Sequence, residues 1–240
     1  MASDARTRPA PRRLPVAAVL FDLDGTLADS AGDLAAAVNR MRAERGLEPV
    51  SVDAVRPHAS AGARGLLGAG MGVAPTDADY PALRDTFLAY YAAALDHTTR
   101  LFDGIPELLD ALDARGLPFG IVTNKATRFT QRVVAALGLD ARAGAIVSGD
   151  TTAHPKPHPG PLLHAASLLG ITPQRCVYVG DDLRDVTAGN AAGMATIVAE
   201  YGYLGEEGCA DGWPATAWIA SPLGLLDWLP LSSHHSRQGK

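Results

Sequence analysis

The chain has 240 residues, 47% of them hydrophobic and 20% charged, which excludes whole-chain disorder and leaves room for one large domain or one domain carrying a smaller insertion. Its 21 lysines and arginines against 26 aspartates and glutamates give a net charge of −5, so it offers no electrostatic footprint for nucleic acid or an anionic membrane, and a small soluble substrate is the expected partner. The two cysteines, Cys176 and Cys209, lack Cys-x-x-Cys spacing, which excludes a secreted disulfide scaffold and a thiolate zinc site and points to reduced thiols in the cytoplasm.

Residues 1–14 carry Arg6, Arg8, Arg12 and Arg13 and read as a mobile extension. The apolar run Val16–Phe21 that follows has six residues, too few for a secretory or membrane-spanning segment, and reads as a buried strand ending at Asp22. Gly25 turns the chain directly after Asp22 and Asp24, so the two carboxylates can face one point. Such a pair shares a proton or binds a cation; the plainer alternative is an Asp-Gly turn in which Asp24 only satisfies loop amides.

Residues 30–100 read as helices. Ser30-x-x-Asp33 suggests a capping box opening a helix with Leu34, Val38 and Met41 on one face, and segments 51–57, 63–70 and 79–96 are also helical in pattern. A helical insertion directly after the first strand lies at the carboxyl edge of the sheet, where ligands of open α/β folds bind, and 30–100 is therefore expected to be a cap domain. Within it, Gly62 and Gly65 allow close approach to a ligand, and Arg64 is a candidate partner for a substrate carboxylate, against the alternative of a solvated surface residue.

From residue 101 strand and helix patterns alternate. Ile105, Leu108, Leu109 and Leu112 mark a helix with Asp103 as N-cap and Gly116 just past its end. Phe119–Val122 is a strand closed by Thr123-Asn124-Lys125, where a hydroxyl and unpaired amides could hold an oxyanion or simply cap a helix. Helical stripes follow at Phe129, Val133 and Leu137 and, after the strand Ala145–Val147, at Leu162, Leu163, Ala166 and Leu169. Between the last two, three prolines stiffen His154-Pro155-Lys156-Pro157-His158-Pro159 and hold Lys156 on a rigid support. They also exclude the helical spacing that His154 and His158 would need as metal ligands.

The strand Cys176–Val179 runs into Gly180-Asp181-Asp182-Leu183-Arg184-Asp185. Clustered carboxylates are costly unless a cation neutralises them, and hard oxygen donors favour Mg²⁺; helix capping is the alternative for Asp182 and Asp185. Ala195–Val198 is a further strand. The runs are continuous rather than alternating, which suits an α/β doubly wound parallel sheet buried on both faces. The core is expected to comprise 15–29 and 101–231, with 232–240 as a tail. Each motif follows a different strand, so all four converge on one edge.

In order, Asp22-Leu-Asp-Gly-Thr, Thr123, Lys156 and Gly180-Asp-Asp-x-x-Asp185 resemble the four motifs of the haloacid dehalogenase superfamily of phosphatases, over nearly the whole chain. The helical insertion resembles the small cap of the phosphoglycolate phosphatase branch. The resemblance implies hydrolysis of a small phosphate ester through an aspartyl phosphate. Asp22 would be nucleophile, Asp24 general acid/base, Thr123 a phosphoryl ligand with Asn124 beside it, and Lys156 the charge stabiliser. Mg²⁺ would be held by Asp22, Asp181 and the backbone carbonyl of Asp24, with Asp185 as a direct or outer carboxylate. The cap phrase around Arg64 and the Lys156 loop resemble phosphoglycolate phosphatases, which implies 2-phosphoglycolate as substrate. Gly180–Asp185 and Glu200-Tyr-Gly-Tyr-Leu204 are similar to N-acetylmuramic acid 6-phosphate phosphatases. A phosphomutase and a non-catalytic phospho-receiver module are the remaining alternatives, and a monomer or homodimer is expected.

Overall fold

The computed structural model describes residues 9–95, 97–205 and 208–231; the expected tail 232–240 and the first eight residues lie outside this range. Strand β1 (Ala18–Phe21) is followed by the two-residue strand β2 (Ala28–Asp29). Helices α1 (Ala31–Ala43), α2 (Val52–Val55), α3 (Gly62–Met71) and α4 (Tyr80–Ala94) come next, with a 3₁₀ turn at Arg56–Ala61. Strand β3 (Arg100–Leu101) pairs antiparallel with β2, so the two ends of the helical insertion meet as a stem. The chain then runs α5 (Ile105–Ala114), β4 (Phe119–Val122), α6 (Thr127–Ala136), β5 (Ala145–Val147) and α7 (Gly160–Leu168). It finishes with β6 (Cys176–Gly180), α8 (Leu183–Ala191), β7 (Ala195–Ala199) and β8 (Ala217–Ile219).

Six strands form one parallel sheet in the order β5-β4-β1-β6-β7-β8. Side chains alternate across it. Val19 and Phe21 face a core built with Leu108 and Leu112 of α5 and Val133 of α6, whereas Ala18 and Leu20 face Leu162 and Ala165 of α7 and Ala188 of α8. With both faces covered, the strands carry continuous apolar runs. The first core extends into the insertion through Leu34, Val38, Met41, Leu66, Leu67 and Phe87. Among the described residues no helix is long and apolar enough to cross a membrane.

Several local expectations need correction. The N-cap of α5 is Gly104, not Asp103, because the chain enters the helix through a left-handed residue with φ of 88°. Ser30 does cap α1, but no capping box forms: its hydroxyl donates to Asp24, and Asp33 accepts from Thr98 and Thr99. Leu163 is exposed, the buried face of α7 being Leu162, Ala165 and Ala166. Arg13 and Leu14, placed by sequence in the extension, donate to the carbonyls of Leu229 and Trp228 and so belong to the folded body. The strands β2, β3 and β8 had no counterpart in the sequence reading.

Candidate active site

Three adjacent strands end side by side. The Asp22 N–H donates to the Val179 carbonyl and the Thr123 N–H to that of Val147, so sheet register carries both residues one step beyond the last strand positions. Asp181 follows β6 directly. After Asp22 the chain turns back through Gly25, whose φ of +87° suits glycine. A Cβ at Gly25 would overlap the Asp181 carboxylate, so the turn needs glycine for space as well. The sheet therefore brings Asp22, Thr123 and Asp181 to a single edge, all buried.

Lys156 reaches this edge from the proline-rich loop. Asn124 fixes that loop: its side chain accepts from the Lys156 N–H and donates to the Lys156 carbonyl, both at 2.9 Å. The Asn124 amide, expected to touch substrate, is thus committed to holding Lys156. The Lys156 ammonium lies 2.8 Å from Asp22 Oδ1 and 2.7 Å from Asp185 Oδ1, and it also donates to the Tyr178 hydroxyl and the Val122 carbonyl. Asp185 additionally accepts from the Asp182 N–H, and Asp182 caps α8 while pairing with Arg184 at 2.8 Å. The capping roles weighed for Asp182 and Asp185 are therefore present.

Asp24 is held by a different lysine. The Lys125 ammonium donates to both its oxygens at 2.8 Å and the Ser30 hydroxyl donates at 2.5 Å. Lys125 is held above the Tyr91 ring of α4, 5.0 Å from its centre. Asp181 accepts from Thr26 Oγ1, from Ser60 Oγ of the insertion and from the Tyr203 N–H. The Tyr203 hydroxyl in turn accepts from the Ser30 N–H. Arg184 donates to the Ser60 carbonyl, tying α8 to the insertion. Sequence reasoning gave Ser30 only a capping role and assigned none to Ser60, Lys125, Tyr178, Arg184 or Tyr203; Lys125, Arg184 and Tyr203 lie inside quoted motifs, but nothing in their spacing names their partners.

Burial dominates the electrostatics. It pushes the Asp22 carboxyl up to about 7, against the pull of Lys156 and with the help of Asp185 and Asp24. The Asp181 carboxyl is raised well above the carboxylate range, again chiefly by burial and then by Asp22 and Asp185. Burial alone would lower the Lys156 ammonium, but Asp185 and Asp22 outweigh it and the net direction is up. Asp22, Asp181 and Asp185 each offer an oxygen within 4.8 Å of the others. Although Lys156 is near, no hydrogen bond is aligned to the buried Oδ1 of Asp22. One lysine among three close carboxylates leaves negative charge uncompensated, and this all-oxygen donor set fits a hard divalent cation. Both Asp185 oxygens are engaged by Lys156 and the Asp182 amide, and both Asp181 oxygens by Thr26, Ser60 and Tyr203, so Asp22, whose Oδ1 has no aligned donor, is the freest of the three.

A cavity of about 390 Å³ opens above these groups. Asp22, Thr123 and Lys156 line it from the sheet edge, and Phe87, Leu88 and Tyr91 of α4 line it from the insertion. Arg64 is not in its wall. It sits two residues before Leu66 on α3, about 200° round the helix from that buried position, and is exposed. Two other arginines, Arg84 of α4 and Arg128 of α6, line the cavity instead.

The family model for haloacid dehalogenase-like hydrolases matches residues 19–199. The chain is 41% identical to an N-acetylmuramic acid 6-phosphate phosphatase of Pseudomonas aeruginosa, over 91% of this chain and 96% of that one. It is 44% identical to a phosphoglycolate phosphatase of Xanthomonas campestris pv. campestris, over 89% and 95% of the two chains. The crystal structure of a predicted phosphoglycolate phosphatase from Haemophilus somnus superposes with a TM-score of 0.77 at 26% identity, covering 88% of this chain and 97% of the other.

Proposed function

The chain belongs to the haloacid dehalogenase-like hydrolases and is a phosphoric monoester hydrolase, and on that premise we propose that Asp22 is the group to which phosphate is transferred. The observation that carries this reading is the Asp22 carboxylate on the cavity floor, 2.8 Å from the Lys156 ammonium and in one acidic cluster with Asp181. An Asp22 oxygen attacks phosphorus in line as the bond to the leaving oxygen breaks, and Asp24 gives that oxygen its proton. Lys125, bound to both Asp24 oxygens, holds that carboxyl in place at the cavity. Water then attacks phosphorus, Asp24 takes the water proton, the bond to Asp22 breaks and inorganic phosphate leaves. Thr123, at the end of β4 beside the helix that starts at Thr127, presents its hydroxyl to a phosphoryl oxygen. Lys156 holds its positive charge fixed beside the reacting carboxylate, which offsets repulsion between two anions without reorganisation.

A divalent cation, magnesium by the hardness of its donors, would be held by Asp22, Asp181 and the backbone carbonyl of Asp24, and when bound it draws negative charge off the phosphoryl group. Asp185 acts by holding Lys156. The helical insertion at residues 30–100 acts as the cap that shields the reaction from water and selects the leaving group. Two free cysteines, one of them exposed, accord with a cytoplasmic setting.

The first substrate is 2-phosphoglycolate, in line with the 44% identical relative. A second reading, N-acetylmuramic acid 6-phosphate, is favoured by the cavity: about 390 Å³, with Phe87, Leu88 and Phe129 forming an apolar part of its wall, is roomy for a two-carbon acid. Comparing kcat/KM on the two esters tests the choice. A higher value for 2-phosphoglycolate supports the first reading, and a large preference for the sugar phosphate replaces it with the second. Release of a phosphorylated isomer without free phosphate would instead indicate a mutase.

A further inference from the structure

Five cations and four carboxylates line the cavity above Asp22. Three of those cations have partners among the carboxylates: Lys125 holds Asp24, Lys156 holds Asp22 and Asp185, and Arg184 holds Asp182. Five less three leaves Arg84 and Arg128. Among the described residues neither pairs with a carboxylate of the cavity. The nearest acid to Arg84 is its exposed neighbour Asp85, at 3.6 Å and outside the cavity wall. Arg128 lies over the Phe129 ring, 4.6 Å from its centre. Its charge is felt by Asp150, but that carboxylate is taken up in capping α6 through the Thr127 N–H and hydroxyl.

The placement of the two is not incidental to the helices that carry them. Arg84, Phe87, Leu88 and Tyr91 recur at i, i+3, i+4 and i+7 on α4 and all line the cavity, so Arg84 continues the stripe that the insertion turns towards Asp22. Arg128 lies in the first turn of α6, three residues beyond Lys125, which touches Asp24. One guanidinium thus comes from the insertion and the other from the sheet-bearing core. A guanidinium is a planar fork whose natural partner is a carboxylate or phosphate. The phosphoryl end of a substrate is already provided for at Asp22 and Lys156, which leaves this pair for a second anionic group.

We propose that Arg84 and Arg128 form a subsite for a carboxylate on the leaving group, so that the substrates are phosphate esters of hydroxy acids. This rests on the phosphatase reading above. Both esters considered there carry such a carboxylate, directly on the two-carbon unit in one and on the lactyl ether in the other. Recognition of that group by one arginine from each side would couple specificity to closure of the insertion over the site.

The test uses matched esters that differ in the carboxylate: 2-phosphoglycolate against ethyl phosphate, and N-acetylmuramic acid 6-phosphate against N-acetylglucosamine 6-phosphate. The ratio of kcat/KM within each pair is measured for the wild-type protein and for R84Q, R128Q and the double variant. Both side chains are exposed, and circular dichroism with a thermal melt checks that the variants are folded. In the pair that the enzyme prefers, the double variant should lower the ratio roughly 10- to 100-fold, the worth of hydrogen bonds to a charged group, mainly through KM. An unchanged ratio in both pairs, in a protein that still turns over, overturns the subsite and leaves the phosphatase reading intact. A wild-type protein inert towards all four esters and towards p-nitrophenyl phosphate overturns that reading and the subsite with it.

Discussion

The two walls of the cavity are built on opposite principles. On the sheet side the charges other than Arg128 are engaged with one another, and those nearest Asp22 are buried: Lys156 is 4% exposed and Asp185 2%, and each is held by the other. On the insertion side the wall is apolar, with Phe87 and Tyr91 stacked 6.2 Å apart, and its cation Arg84 has a half-exposed side chain. Charges fixed in a sheltered, low-dielectric edge cost nothing to reorganise during a reaction, which suits them to chemistry. An apolar wall with a solvated arginine contributes little to a bond-breaking step but can discriminate between leaving groups. Substitutions of the buried sheet-side charges should therefore reduce turnover on every ester, while those on the insertion side, and at the exposed Arg128, should alter selectivity or stability.

The sharpest separation is expected at Asp22. Asp22→Asn should lower turnover on the order of 10⁴- to 10⁶-fold, the scale seen when a covalent nucleophile is removed. No labelled phosphoenzyme should be trapped on acid quenching. Stability should not fall, because one of three crowded buried carboxylates has been neutralised. Normal turnover by this variant would remove the nucleophile assignment and with it the functional contrast between the walls.

Lys156 should combine both kinds of loss. Lys156→Met should cost about 10²- to 10³-fold in rate. It should also cost about 3–5 kcal/mol in unfolding free energy measured in chelator, since Asp22 and Asp185 lose the cation that holds them. Added magnesium should recover part of that stability. If denaturation curves in chelator coincide with the wild type, the buried pairs are not holding the edge together.

The difference between the walls also explains what could be read from the sequence. Asp22, Thr123 and Asp181 were legible because each follows directly on an apolar run, and a parallel sheet places such positions together. Contacts across long separations were not: Lys125 to Asp24 spans 101 residues and Arg184 to Ser60 spans 124. The capping pattern misled at Ser30-x-x-Asp33, where the serine hydroxyl meets the stronger acceptor Asp24, while the true box is Asp182-x-x-Asp185. Arg64 misled for a related reason. Its neighbouring glycines suggested a ligand loop, but the helix that forms there turns it outward, and it is the phase of α4 that brings Arg84 in. Strand β8, only Ala217–Ile219, is too short to show a period.

Metal binding gives a smaller effect, confined to the sheet side. Magnesium at a hundredfold excess over its dissociation constant should stabilise the wild-type protein by about 2.7 kcal/mol. Asp181→Asn should abolish that increment while Arg84→Gln leaves it in place. A thermal midpoint that rises equally with magnesium in wild type and Asp181→Asn would place the ion elsewhere.

The smallest expected effect belongs to the base of the insertion. Asp33 is buried in α1 and accepts hydrogen bonds from the N–H and hydroxyl of both Thr98 and Thr99, which clamps the start of the insertion to its end beside the β2–β3 stem. Burial would raise its carboxyl, but these four donors outweigh it and the net direction is below the ordinary 3.8. A carboxylate whose ionised form is favoured by folding adds stability that is fully present above the ordinary value and is lost as the pH falls through the depressed one. Asp33→Asn should therefore cost about 1.5 kcal/mol at pH 7, and the gap to wild type should narrow below pH 3.8 and close beneath the native value. Because Asp33 touches none of the groups at the sheet edge, kcat/KM on p-nitrophenyl phosphate should change by less than about threefold, well under the loss expected of a positioned electrostatic group. A gap in stability that persists undiminished at low pH would show that shape rather than charge is what the clamp needs. Loss of turnover with stability intact would show that the stem takes part in the chemistry, and the division of labour between the two walls would have to be redrawn at α1.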